Sequence, residues 1–377
     1  MRTARCHIST MLVLATLLAR AALCDGTAGR RPGDYQFIRG HDIAAGLYAR
    51  SVWVGETHTA LAALPLYYSG ALTEQLAADA AVAPAFGYAG SRESIIARAS
   101  DLRLRLSYNL KNAVLFTLGG RIPAGPNRFS QQQTITQGNL SARQLDFDHS
   151  YLYASPDVCA GAASSLSFSD IGPGDLSLGL ALSYLFKGPF HPVDDIDAKF
   201  DPGDEINVAL AAEYAALLPD RRATFTIDAG YTYFGKDRFE GVDTTHAGGK
   251  FNWALSAATT LTDAVPVLLS AANFVKGAQR DRYGTTGKNT SDLYVSLRAG
   301  LPVFKALAPY GQAGLQVYTG GGPAEAMKAV VGCLELGIAR RLGERLFGTA
   351  AAAFDAGTMG NEARIGTALT GGLEYRF

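Results

Sequence analysis

A strict two-residue alternation, sustained over nine or more residues and repeated down the chain, limits more than any other feature what this sequence can fold into. From Leu102 to Leu110 every even position is apolar or aromatic and every odd one is polar. Ile206, Val208, Leu210, Ala212 and Tyr214 alternate with Asn207, Ala209, Ala211 and Glu213. Phe225, Ile227, Ala229, Tyr231 and Tyr233 alternate with Thr224, Thr226, Asp228, Gly230 and Thr232. Leu176 to Tyr184 and Leu293 to Leu301 repeat the pattern. Successive side chains of a strand point to opposite faces, so each row places an apolar set on one side and a polar set on the other. Soluble strands average about five or six residues, whereas a tilted strand needs about nine to eleven to cross a bilayer. Aromatic residues gather near row ends, at Tyr67, Tyr68, Tyr108, Tyr184, Tyr214, Tyr231, Tyr233, Tyr375 and Phe377, as an interfacial girdle requires.

The connections between rows alternate in length. Short ones fall at 109–112, 169–175, 218–222, 262–264, 305–308 and 342–345. Long ones fall at 87–100, 124–157, 187–203, 235–249 and 276–292, with shorter relatives at 319–324 and 355–362. Short periplasmic turns facing long external loops are the rule of membrane barrels. The reading is therefore all-β: a transmembrane antiparallel up-and-down β-barrel. Its strands are expected at 46–55, 58–69, 74–88, 99–110, 112–122, 158–169, 174–187, 203–217, 221–235, 248–261, 264–276, 291–304, 306–319, 325–342, 345–357 and 363–377. That makes sixteen, or fourteen without the first and sixth.

The N-terminus supplies the compartment. Arg2 and Arg5 precede an apolar run from Met11 to Leu18, and small residues follow at Ala19, Ala21, Ala22 and Cys24. This is the layout of a cleaved signal peptide, residues 1–24, with cleavage after Ala21 or Cys24. Residues 25–45, with Gly26, Gly29, Pro32 and Gly33, read as an irregular extension or small plug, and 46–377 as the barrel. Removal of 1–24 leaves 31 basic against 34 acidic residues, so no positive field attracts nucleic acid. The remaining Cys159 and Cys333 make no disulfide framework. Beyond the signal, no apolar run is long enough for a transmembrane helix. The expected location is the bacterial outer membrane, with membrane lipid and lipopolysaccharide as surroundings.

The last residues, Leu373-Glu374-Tyr375-Arg376-Phe377, resemble the C-terminal signature of outer-membrane barrels. That resemblance implies that Leu373, Tyr375 and Phe377 are read by the barrel-assembly machinery. Gly119-Gly120-Arg121-Ile122-Pro123-Ala124-Gly125 resembles a strand end common in FadL/TodX-like hydrophobic-compound channels and in barrels of the phenol-degradation MetA type. Ile171-Gly172-Pro173-Gly174-Asp175-Leu176-Ser177-Leu178-Gly179-Leu180 is similar to a turn and strand of the second group. The resemblance implies a channel for small, hydrophobic or aromatic solutes. The extension at 25–45 is about half the length of the N-terminal hatch of fatty-acid channels.

Charged residues on the polar face of the rows form the candidate pathway. They are Arg103, Arg105, Glu213, Asp228, Arg298, Glu335 and Arg364, with Glu374 and Arg376 beyond them. Charges of both signs inside a barrel either pair into supports or line a route for solute. Asp148-His149-Ser150 and the turn around His58 invite a hydrolase reading, but sequence neighbours do not converge on one point as a triad must. The carboxylate-rich stretch 191–205 lacks the spacing of a calcium loop. Gly320-Gly321-Gly322-Pro323 lacks the strand, Lys-Ser/Thr pair and helix of a phosphate cradle. No catalytic residue, metal or cofactor is therefore expected. Passive diffusion of a small solute ranks first, a closed barrel binding through its outer loops second, and a barrel enzyme last.

Overall fold

A computed structural model describes residues 41–377, except 100, 112, 125–128, 148–155, 192, 194–197, 219–220, 262–264, 285–286, 302–306 and 321–327. The alternating rows form sixteen antiparallel barrel strands, three of them interrupted. They are β1 (His41–Val54), β2 (Thr57–Ala63 with Leu66–Ala71), β3 (Leu76–Val82 with Pro84–Ala89), β4 (Ile96–Ala99 with Leu102–Leu110), β5 (Val114–Ile122) and β6 (Asp157–Ile171). There follow β7 (Gly174–Lys187), β8 (Glu205–Leu218), β9 (Arg221–Phe234), β10 (Lys250–Thr260), β11 (Pro266–Lys276) and β12 (Thr290–Gly300). The last are β13 (Pro309–Thr319), β14 (Lys328–Arg341), β15 (Leu346–Met359) and β16 (Glu362–Arg376). Each strand pairs with the next, and β1 pairs with β16 from Asp42↔Arg376 to Val54↔Arg364, which closes the barrel. Closure removes both sheet edges and satisfies the ladder throughout.

Both strands whose omission would have reduced the count are present. The first starts at His41, five residues earlier than expected, so residues 41–45 of the anticipated extension belong to the wall. Residues 25–40 lie outside the described residues, as does the signal segment.

Burial is inverted relative to a soluble protein. Leu334 and Leu336 on β14 are 63% and 66% exposed, and Leu104, Leu180, Leu210 and Leu369 stand out from their strands in the same way. Among the most buried large side chains are Arg364, Lys250 and Asp355. A continuous apolar exterior of this kind is far beyond the patches soluble monomers expose, and it fits hydrocarbon instead. The outward row of β16, with Leu373, Tyr375 and then Phe377, lies beside the closure seam, where Phe377 N–H donates to the His41 carbonyl at 2.9 Å.

The interruptions have local causes. Pro65 has no N–H to give, but its carbonyl accepts from Gly46 N at 2.7 Å, so the β1–β2 register runs through the break unchanged. In β4 the break is a bulge: three steps along β3, from Ala81 to Pro84, face four along β4, from Arg103 to Ala99. In the β6–β7 turn, Gly172 takes φ +60°, and a Cβ on Gly174 would lie 2.3 Å from the Ala215 carbonyl. The resemblance noted at 171–180 therefore rests on turn geometry.

The long connections do not all behave as surface loops. Those after β7, β9 and β11 contribute Phe200–Asp201, Lys236–Phe239, Val242–His246 and Arg280–Asp281 to a separate four-stranded sheet. This cap stands beyond the ends of β7–β12. The connection after β5 takes another course and enters the barrel.

Candidate functional site

The β5–β6 connection is pinned at its base. Arg121, the last inward residue of β5, sits opposite Asp157 at the start of β6, and its guanidinium binds the Asp157 carboxylate. Between them lies helix α1 (Gln131–Leu140). Ser130 caps it reciprocally with Gln133: the Gln133 N–H donates to Ser130 Oγ at 3.3 Å, and Ser130 N–H donates to Gln133 Oε1 at 3.1 Å. The helix carries little amphipathic character of its own, so tertiary contacts hold it. Gln133 Nε2 donates to the Ile95 carbonyl at 3.0 Å, and the buried Thr136 hydroxyl donates to the Ser94 carbonyl at 2.9 Å.

Apolar anchors do the rest of the seating. Phe129, Leu140, Leu145 and Phe147 of the connection pack on Tyr48, Val52, Leu61, Ala63, Ala85 and Ile96, the inward side chains of β1–β4. This is the hydrophobic core of the protein, and it lies inside the barrel against one wall.

Past α1, a 3-10 turn at Arg143–Leu145 ends in Asp146, which takes a left-handed conformation at φ 57°. Here the connection meets β1 and the strands that close the barrel beside it through charges. Arg50 on β1 donates from Nε to the Leu145 carbonyl at 3.1 Å, from Nη2 to Asp355 on β15 at 3.0 Å, and lies 3.5 Å from Asp146. Arg364 on β16 binds the other oxygen of Asp355 and reaches the Leu145 carbonyl at 3.5 Å. Arg143 meets Asp292 on β12 at 3.4 Å, and Gln316 on β13 donates to Asp292 at 3.0 Å. Three guanidinium groups thus meet three carboxylates on the connection and the strands beside it, so the network is balanced in charge. Gly366 has to be glycine here, since a Cβ would lie 2.4 Å from the Asp355 carboxylate. Between these groups a cavity of about 30 Å³ is lined by Arg50, Asp146, Tyr294, Gln316, Cys333 and Asp355. It has room for a water molecule or two.

The opposite wall is bare by comparison. The inward residues of β6–β10 are mostly small: Gly161 and Ala163, then Ser177, Gly179 and Ala181, then Ala209 and Ala211, then Thr226 and Gly230, then Ala254 and Ser256. Hydroxyls bridge neighbouring strands, with Ser167 to Ser177 at 3.1 Å, Thr226 to Ser256 at 2.5 Å and Thr232 to Asn207 at 2.7 Å.

The residues singled out from sequence lie in separate places. Arg105 pairs across to Asp79 on β3 at 2.6 Å, with Arg103 one inward position away on the same strand. Arg298 stacks on Tyr310 at 3.5 Å and lies 3.6 Å from Glu335, which also accepts the Tyr310 hydroxyl at 2.9 Å. Glu213 and Asp228 face the lumen from the small-residue wall, and Glu213 has no ion pair among the described residues. Only Arg364 of this set belongs to the constriction. Glu374 and Arg376 pair with each other at 2.5 Å near the short-turn end.

Arg50, Arg143, Asp146, Asp292, Gln316 and Asp355 were not among the sequence candidates. The connection at 124–157, read as an external loop, is internal over 129–147. Its signal was present as Phe129, Leu140, Leu145 and Phe147, too apolar a set for a solvated loop. His58 lies on the outer face, stacked on Trp53 at 4.4 Å with Ser51 Oγ 3.3 Å away, and no carboxylate contacts it among the described residues. His149 lies outside the described residues.

No protein-family model matches the chain, and no curated protein matches it. Solved structures resemble it distantly. OprB of Pseudomonas putida has 9% identity and a TM-score of 0.49, covering 90% of this chain and 94% of that one. OccK11 (OpdR) of Pseudomonas aeruginosa has 11% identity and a TM-score of 0.42, covering 90% and 96%. The CymD monoaromatic hydrocarbon channel has 9% identity and a TM-score of 0.41, covering 92% and 91%. No TM-score here reaches one half, so neither substrate nor mechanism transfers from them.

Proposed function

We propose that the protein is a bacterial outer-membrane channel for passive diffusion of small solutes, with hydrophobic or aromatic compounds among them. The observation that carries the reading is the division of the lumen: a capped, charge-latched segment fills one side and a wall of Gly, Ala, Ser and Thr lines the other. A segment folded into a barrel narrows the bore and sets what passes by size and charge. Selection then falls to the constriction groups together with the lumen residues Arg103, Arg105, Glu213, Asp228, Arg298, Glu335 and Arg364. The likeness to FadL-type and phenol-degradation barrels stays within this proposal, as do signal-directed export and recognition of Leu373, Tyr375 and Phe377 by the assembly machinery. Lipid and lipopolysaccharide are the partners expected at the exterior.

Single-channel conductance of the purified chain in planar bilayers tests this, with heat-modifiable gel migration as the folding control. Steady conductance of small unit size supports diffusion. A folded barrel that never conducts favours the second reading, a closed barrel that binds through its outer loops. That reading has its own support in the balanced ion network and the four-stranded cap. A catalytic reading finds no such support around His58.

A further inference from the structure

At the long-connection end, the last inward row of β7–β12 collects more cations than carboxylates. Lys187, Lys250 and Lys276 end or begin β7, β10 and β11, and Lys250 sits directly opposite Lys276 across the β10–β11 ladder. Like charges directly opposite one another destabilise a sheet. Arg143 of the inserted connection joins them, and Glu205, Arg143, Lys187 and Lys276 are the charged groups that act on Lys250. Two carboxylates stand within this group. Glu205 holds Lys187 at 2.6 Å, and Asp292 holds Arg143 at 3.4 Å.

The cations are positioned by aromatic rings. Arg143 lies 3.7 Å and Lys250 5.1 Å from the centre of the Phe274 ring. Lys187 and Lys276 lie 5.7 Å and 5.8 Å from the Phe234 ring. A ring face attracts a cation without cancelling its charge, as a carboxylate would. Lys250 is 1% exposed and has no carboxylate partner among the described residues. A buried ammonium without a counter-ion is costly, and a bound anion removes that cost.

We infer that this rim, between the inserted connection and the small-residue wall, is a binding site for small carboxylates with an apolar or aromatic body. The Lys276 ammonium takes the carboxylate, and the buried Lys250 directly opposite it adds its charge from behind. The Phe234 ring and the alanines and glycines below it take the body. The inference deepens the channel reading by naming the charge class of the solute, and it can be tested without conduction.

Calorimetry on the purified chain in detergent would use benzoate, benzyl alcohol and inorganic phosphate as probes. Benzoate is expected to bind at least about tenfold more tightly than benzyl alcohol, and Lys250→Met to weaken benzoate by about tenfold while leaving benzyl alcohol unchanged. Lys276→Met gives the same result if Lys250→Met does not fold, and Lys236→Gln in the cap leaves benzoate binding as it is. Equal affinity for benzoate and benzyl alcohol, tighter binding of phosphate than benzoate, or indifference to both lysine changes overturns the site. A folded, non-conducting barrel that binds benzoate keeps the site and removes the channel reading. A conducting barrel blind to benzoate removes the site alone.

Discussion

The two sides of the lumen are built from the same alternating strands and do opposite things. Along β1–β4 an apolar set faces inward, with Tyr48, Val52 and Leu61 each 1% exposed beneath the inserted connection. Along β6–β10 the inward residues are mostly small or hydroxylated, and hydroxyl bridges cross from strand to strand. Side-chain volume on one wall makes a seat, and the other wall carries little of it. Charge fixes the connection further, since Arg50, Arg143 and Arg364 tie it to Asp292 on β12 and Asp355 on β15.

Removing the seat's occupant is the strongest way to break this contrast. Replacing residues 129–147 with a short turn is expected to raise single-channel conductance several-fold, because the bore then spans both walls. Unchanged conductance would mean that the connection does not limit flow.

Asp355→Asn comes next. It leaves Arg50 and Arg364 buried without their shared carboxylate, and loss of one member of a buried ion pair costs about 3–5 kcal/mol. The midpoint of heat-modified gel migration should fall and open-channel noise should rise as the connection loosens. A quiet channel with an unmoved midpoint would show that the apolar anchors hold the connection unaided. Leu140→Ala tests those anchors, at a cost of about 2–5 kcal/mol for an emptied core position read by the same midpoint.

On the other wall, Ala211→Trp should cut conductance by roughly half while leaving stability nearly unchanged, since it adds bulk where nothing packs. A full block would make the passage narrower than the wall implies, and no change would place it elsewhere. The smallest effect belongs to the cap. Lys236 and Arg238 hydrogen-bond the exposed Asp243 carboxylate and hold its pKa below the ordinary 3.8. The stability this adds is complete above that value and is lost only as pH falls through the lowered one. Asp243→Asn should therefore leave conductance at neutral pH untouched, and a marked change would tie the cap to gating.

Much of this was legible along the chain. Rows such as Leu102–Leu110 and Ile206–Tyr214 gave strand, face and approximate end together, because a period of two leaves one arrangement with the apolar set outward. The position of Arg364 in the lumen followed from the same rule. Its partner did not, since Asp355 is brought to it by the β15–β16 register and Arg50 by barrel closure, across 305 residues of chain from Asp355. The β5–β6 connection was misplaced because loop length says where a chain can go and not which face of the barrel will receive it.

Sequence by itself determined an alternating, closed set of sixteen strands with a lipid face and a polar face, because that pattern is a local property of each strand. Tertiary structure alone decided which polar groups meet, that the longest connection turns inward, and that Lys250 faces Lys276. Those outcomes depend on register, closure and side-chain volume summed over distant strands, and no short stretch of chain contains them.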